Sequence, residues 1–232
     1  LCRCAAHAAQ LSPAHAQLLT PVAQDRFVLT EVDVTGPGGF TANDADSDQA
    51  VDFSPFSASV AAELLGLGAT GSVTASTDSV ILADSIAMNG DTFGTGTFHS
   101  PGFQSIAVAE SEVEVDFVVT EKVEYLLTGQ ITGGGSGSST ARFQRPGLIL
   151  YTSSAWADVG EPDSVVPFNE SGVLEPGTYT LRMRSVASGI GEPLSGGSHG
   201  SASYDATLTL TPLAENYCIA APNSVGPGAT IG

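Results

Sequence analysis

Residues 111–120 read SEVEVDFVVT. Val113, Val115, Phe117 and Val119 recur at every second position, and Glu112, Glu114 and Asp116 fill the gaps between them. Side chains of an extended chain alternate between faces, so the stretch predicts a strand with one apolar and one charged face. A parallel strand covered by helices would be apolar on both sides. The pattern therefore points to an antiparallel sheet with one face in water.

The same period returns elsewhere. Residues 178–186 (TYTLRMRSV) place Tyr179, Leu181 and Met183 inward, with Thr180, Arg182 and Arg184 outward. Residues 201–211 do so with Tyr204, Ala206, Leu208 and Leu210. Further strands are expected over 26–34, 50–60, 72–88, 103–109, 122–132, 140–152 and 164–168, with turns at Gly36-Pro37-Gly38-Gly39, Asn89-Gly90-Asp91, Ser100-Pro101-Gly102 and Pro176-Gly177. AAELLGLGATG (61–71) could form one helical turn within the limits its glycines set, and GGGSGSS (133–139) reads as a flexible hairpin tip or loop. About ten strands with few helices make the expected fold class all-β, an antiparallel β-sandwich or jelly roll.

Composition narrows the function. The 232 residues are 42% hydrophobic, enough for one β-rich domain with a real core. Acidic residues number 25 against 7 basic ones, for a net charge of −18, and Lys122 is the sole lysine. Such a chain repels nucleic acid and anionic membranes, which demand clustered Lys and Arg. Divalent cations, basic partners and neutral glycans stay open as partners. No run approaches the roughly 18–20 apolar residues of a transmembrane helix, so no membrane span is expected.

The first sixteen residues, LCRCAAHAAQLSPAHA, end in Ala14-His15-Ala16 before Gln17. That is the small-x-small signature of signal cleavage, and 1–16 is expected to be a signal-peptide remnant; the alternative is a short Ala-rich helix packed on the domain. The β-sandwich domain then covers 17–212. Cys2 and Cys4 leave with the signal, and Cys218 is expected to pair with a thiol beyond Gly232. Residues 213–232, rich in Pro, Gly and Asn, read as a linker and the truncated start of a further module.

Candidate chemistry is sparse. Gly196-Gly197-Ser198-His199-Gly200 fits the G-x-S-x-G nucleophile pattern. A nucleophile elbow needs an apolar strand before it, a helix after it, and an acid and a histidine later in the chain. Here a strand pattern follows and no histidine lies beyond His199, so the segment reads as a loop and no catalytic residue is expected. His99 and His199 are too few for a three-histidine or HExxH zinc site. Asp44, Asp46 and Asp48 open like a calcium loop, but Gln49 and Pro55 stand where an EF-hand needs Gly and Glu. They remain either a non-EF calcium site or a solvated acidic turn, and calcium is the one cofactor left open. Tyr151 and Trp156 flank a serine-rich turn, as a stacking site for a sugar ring or as local packing.

The second half resembles bacterial pre-peptidase C-terminal domains and related secreted jelly rolls. The residues that carry the likeness are Val115-Asp116-Phe117-Val118-Val119, Tyr125-Leu126-Leu127-Thr128-Gly129, Leu174-Glu175-Pro176-Gly177-Thr178-Tyr179-Thr180-Leu181 and Tyr204 through Leu210. Over 17–232 the chain is similar to uncharacterised secreted β-proteins of environmental bacteria. That likeness rests on Gln24-Asp25-Arg26-Phe27-Val28, Asp52 to Val60, Thr77 to Ile81 and Asn216 to Gly226. It implies secretion and a β-sandwich, and it implies no reaction.

The expected function is thus a secreted, non-catalytic β-sandwich with a structural or adhesive role in a bacterial surface or matrix protein. The alternatives are a carbohydrate-binding module, with or without calcium, and an accessory domain of a secreted hydrolase. Mass spectrometry of the exported protein is expected to find Gln17, or its pyroglutamate, as the first residue. A mature chain that retains Cys2 and Cys4 contradicts the signal-peptide expectation.

Overall fold

The computed structural model describes residues 17–66, 68–157, 160–191 and 197–213. The signal-peptide expectation, Cys218, Gly196 and the tail from residue 214 lie outside them. Among the described residues twelve strands follow one another: β1 (Leu19–Gly36), β2 (Phe40–Gln49), β3 (Phe56–Leu64), β4 (Ala69–Ile81), β5 (Ser85–Phe98), β6 (Gln104–Val119), β7 (Val123–Gly135), β8 (Gly137–Arg145), β9 (Leu148–Trp156), β10 (Ser164–Leu174), β11 (Gly177–Gly191) and β12 (Gly197–Pro212). They form an all-β sandwich of two antiparallel six-stranded sheets. The first has the order β2-β1-β6-β11-β8-β9 and the second β10-β7-β12-β5-β4-β3.

The opening stretch is the second half of β6, a central strand of the first sheet. Val113, Val115, Phe117 and Val119 are buried, as alternation requires. β6 also takes in 104–109, read above as a separate strand, because Ala107, Ala109 and Ser111 keep the inward face in phase.

Several boundaries differ from the sequence reading, each for a visible reason. The expected strand 72–88 is two strands, β4 and β5, with the turn at 82–84, where the Leu82 N–H donates to Ser85 O at 2.8 Å. The expected turn Asn89-Gly90-Asp91 lies inside β5. Gly90 is there because a Cβ would sit 2.6 Å from the Tyr204 hydroxyl. The 140–152 strand is the hairpin β8–β9, turning at Pro146-Gly147. Residues 61–71 hold no helical turn among the described positions; they end β3 and start β4. The acidic stretch from Asn43 to Gln49 belongs to β2, not to a turn.

GGGSGSS is neither a flexible tip nor a loop. β7 belongs to one sheet and β8 to the other, so the chain crosses the sandwich at Ser136 alone. Gly135 takes φ +58, a left-handed conformation that favours glycine, and a Cβ there would strike the carbonyl of His199. The corner is buried and tightly packed.

The interior is a wedge. Its thick end holds the large side chains, including Leu19, Met88, Leu127, Leu181, Met183 and Leu208. Phe117, Phe143 and Tyr179 form a triangle of rings, with centroids 6.3 Å (Phe117–Phe143), 5.9 Å (Phe117–Tyr179) and 6.0 Å (Phe143–Tyr179) apart. A smaller cluster of Val and Ala fills the space among β1, β3, β4 and β6. At the thin end glycines of opposed sheets meet. A Cβ on Gly96 would lie 2.6 Å from the backbone nitrogen of Gly191. Face-packed sheets stand about 10 Å apart when side chains fill the gap. Here almost none do.

Hydroxyls span the narrowed gap. Ser105 on β6 donates to Thr70 O at 2.9 Å, and Ser139 on β8 to Thr132 O at 2.6 Å. The Tyr204 hydroxyl, on β12, bonds Ser111 of the opposite sheet at 3.0 Å and Thr77 at 3.1 Å. Arg26 on β1 is fully buried. It donates to Gln24 Oε1, to Ser79 on β4 at 3.0 Å, and to the carbonyls of Asp52 and Ser54. Its guanidinium also lies 5.7 Å from the Phe56 ring centroid. Two of the stretches singled out in the sequence, Gln24–Val28 and Asp52–Val60, are thereby one clamp. It fixes the passage from β2 in the first sheet to β3 in the second.

Outward Arg182 and Arg184 are not merely solvated either. Arg182 pairs with Glu112 at 2.8 Å and Arg184 with Glu110 at 2.6 Å, and the Glu112 carboxylate is nearly buried between them. Removing either arginine strips a partner from a poorly hydrated charge.

Burial raises the Tyr204 pKa to about 12. An unfolded tyrosine ionises near 10. The folded state therefore holds its proton longer, and the associated stability is complete below pH ~10 and is lost as pH rises to about 12. Urea unfolding across that window is expected to show the native chain losing on the order of 2–3 kcal/mol more than Tyr204→Phe. At neutral pH the same variant should cost about 1–2 kcal/mol through the lost hydrogen bonds. Parallel pH profiles for the two proteins would contradict a Tyr204 held neutral.

Candidate functional site

The three groups singled out by sequence go to three different places. Ser198 and His199 lie in β12, opposite Gly96 and Thr95 of β5, so the expected loop is a strand from Gly197 onward. β8 runs beside β11 only as far as Ala187, which leaves the last residues of β11 without a partner on that side. Ser198 fills the vacancy. Its Oγ accepts the Ile190 N–H at 2.9 Å and donates to the Ile190 carbonyl at 3.3 Å. One hydroxyl does what a neighbouring strand would do. His199 is exposed on the other side of the strand, as alternation dictates.

Asp44, Asp46 and Asp48 stand on one side of β2, in register with Val32, Thr30 and Val28. Alternate residues of a strand are roughly 6–7 Å apart, so the carboxylates form a row rather than converging on a point. A calcium ion needs its oxygens within about 2.3–2.6 Å. Among the described residues no group of three or more acidic, His or Cys side chains is placed to hold a metal. Asp44 instead accepts the Glu63 N–H of β3 at 2.9 Å, joining the edges of the two sheets. Charge along an edge strand also hinders pairing with another chain.

Tyr151 and Trp156 share β9 but not a face. Tyr151 packs inward, 5.2 Å from Phe168, and Trp156 points out with 62% of its surface exposed. The step from one to the other is five positions, an odd step in a strand, so they cannot hold one sugar ring together.

The concavity with the most chemistry lies where the sequence singled out nothing: on the outer face of the second sheet. Its volume is about 320 Å³, at the small end of ligand sites. Strand register builds it. Ser59, Ser76, Asp91, Ser203 and Thr132 are successive partners across five strands, and Thr74, Phe93 and Ser201 form the adjoining row. The row of Phe93 continues to Gly134, and the Asp163 carboxylate occupies the position a Gly134 side chain would take. The lining is thus hydroxyl, carboxylate and one aromatic ring, and among its residues there is no cation. Phe93 is 44% exposed. Desolvation raises the pKa of Asp91, and among the described residues no hydrogen bond or ion pair reaches its carboxylate. Thr132 and Ser203 share a hydrogen bond of 2.7 Å, and the hydroxyls of Thr74, Ser76 and Ser201 bond to no described residue. Sequence reasoning passed over these positions because Ser and Thr on an outward face are ordinary. Only register makes them one surface.

No protein-family model matches the chain, and no curated protein matches it. Solved structures that it resembles include infectious bursal disease virus of the Gt strain, with 11% identity over 86% of this chain and 73% of that chain and a TM-score of 0.23. The VP2 subviral particle of the same virus matches at 10% identity over 84% and 73%, with a TM-score of 0.22. Likeness at that level carries no argument about this chain.

Proposed function

We propose that the chain is a non-catalytic β-sandwich with a structural or adhesive role in a secreted bacterial surface or matrix protein. The observation that carries this reading is the engagement of the Ser198 hydroxyl by both backbone groups of Ile190. A nucleophilic serine gives its proton to a base within hydrogen-bond reach and faces an oxyanion hole, whereas the Ser198 proton goes to the Ile190 carbonyl, which is no base. Ser198 instead serves the scaffold. The buried hydroxyls of Ser105, Ser111 and Ser139 likewise bind across the sandwich, a use of polar groups suited to a rigid module. The secretory reading rests on Ala14-His15-Ala16 before Gln17. The net charge of −18 favours a solvated, self-repelling surface.

Two measurements on the full chain test the proposal. Ser198→Ala should lower stability by about 1–2 kcal/mol, because the N–H and C=O of Ile190 lose their partner. A fluorophosphonate probe should leave Ser198 unlabelled, and panels of ester, peptide and glycoside substrates should show no turnover. Stoichiometric labelling, or turnover abolished by a single substitution, overturns the non-catalytic reading.

A further inference from the structure

We infer that the concavity on the outer face of the second sheet binds an uncharged polysaccharide, with Phe93 as the platform for a sugar ring and Asp91 as an acceptor of sugar hydroxyls. The inference rests on the adhesive reading above and supplies its ligand.

The chemistry of the lining selects the occupant. Thr74, Ser76, Ser201 and Ser203 offer hydroxyls that both donate and accept, which matches a ligand made of hydroxyls. A sugar ring also has an apolar face of C–H groups. Phe93 presents an apolar ring in the middle of this otherwise polar row, nearly half exposed. Ligand sites combine such a platform with a few placed polar groups.

Charge removes the competitors. An anionic polymer would meet Asp91 and Asp163 with no lining cation to receive it, on a chain of net charge −18. A second copy of the chain would bring the same negative charge. An apolar peptide would desolvate the row of hydroxyls and a carboxylate while gaining one aromatic contact. An uncharged polyol does neither.

Geometry favours a chain over a single sugar. The five-strand row from Ser59 to Thr132 spans roughly 19 Å at about 4.8 Å per strand, longer than one ring. Gly134 lacks a side chain at the far end of the Phe93 row, and Asp163 stands in that space as a second hydroxyl acceptor. The surface is therefore polar at both ends and apolar near its centre.

Native gel electrophoresis of the full chain through soluble β-glucan, xylan or galactomannan tests the inference, with alginate as the anionic control. At least one neutral polymer should retard the protein, and alginate should not. Phe93→Ala and Asp91→Asn should each weaken retardation about tenfold or more, a loss of about 1.4 kcal/mol of binding per factor of ten. Thr74→Arg, on an exposed rim position, should block the surface without touching the core, and its thermal unfolding should match the native chain. Trp156→Ala should retain full binding.

Retardation by none of the neutral polymers overturns the inference. So does retardation that survives Phe93→Ala and Thr74→Arg, or that disappears when a chelator is added. Self-association that depends on Phe93, without polymer binding, would assign the face to a second copy and overturn it as well. Release of reducing ends from the bound polymer would overturn the non-catalytic reading while leaving the binding surface in place.

Discussion

The separation of the two sheets is set by what stands between them, and at one end of this sandwich almost nothing does. Gly96 faces Gly191 so closely that a single methyl on either would strike backbone of the opposite sheet. At the other end Phe117, Phe143 and Tyr179 stack between the same two sheets. The layers therefore converge, and the polar chemistry of the interior depends on that convergence. Ser105 and Ser139 reach carbonyls across the gap with one-carbon side chains, which would be impossible at the usual spacing of about 10 Å. Ser198 can complete the edge of β11 for the same reason, and the chain can change sheets over one residue at Ser136.

A strongly acidic protein must also manage its own repulsion. Three of the few cations serve the scaffold: Arg26, Arg182 and Arg184. Arg26 is buried as a clamp on the β2–β3 crossing, where desolvation holds its pKa below the usual arginine value and Asp52 partly offsets this. Arg182 and Arg184 thread through Glu110, Glu112 and Glu114 on the outer face of the first sheet, and the hydrogen bonds to Glu112 and Glu110 raise their pKa values. These two arginines and three glutamates are paired with one another. The outer face of the second sheet differs, with serines and threonines in its groove. The two faces are thus unequal, and the second carries hydroxyls that bond to no described residue.

Edges complete the picture. Asp44 ties the edge strand of one sheet to the edge strand of the other, and the aspartates of β2 keep that margin hydrated. A carboxylate triplet that resembles a cation loop in sequence becomes a line of charge once the backbone is extended.

The alternation in 111–120, 178–186 and 201–211 was enough to determine an all-β antiparallel sandwich and to name the inward side chains. Phe117, Leu181 and Tyr204 are buried as that period requires, because one face of each strand must leave water whatever its neighbours are. Glycine was legible as an interruption but not as contact. GGGSGSS and Asn89-Gly90-Asp91 carry turn chemistry, yet they are a packed corner and the interior of a strand, because a glycine that makes room reads like one that makes a turn. β2 was hidden because aspartate disfavours strands on average, and only its place at an edge makes the sequence suitable. The groove around Phe93 lay beyond any local pattern. Its residues come from five strands up to 144 positions apart (Ser59 to Ser203), and pairing register, a property of the folded sheet, is what sets them side by side.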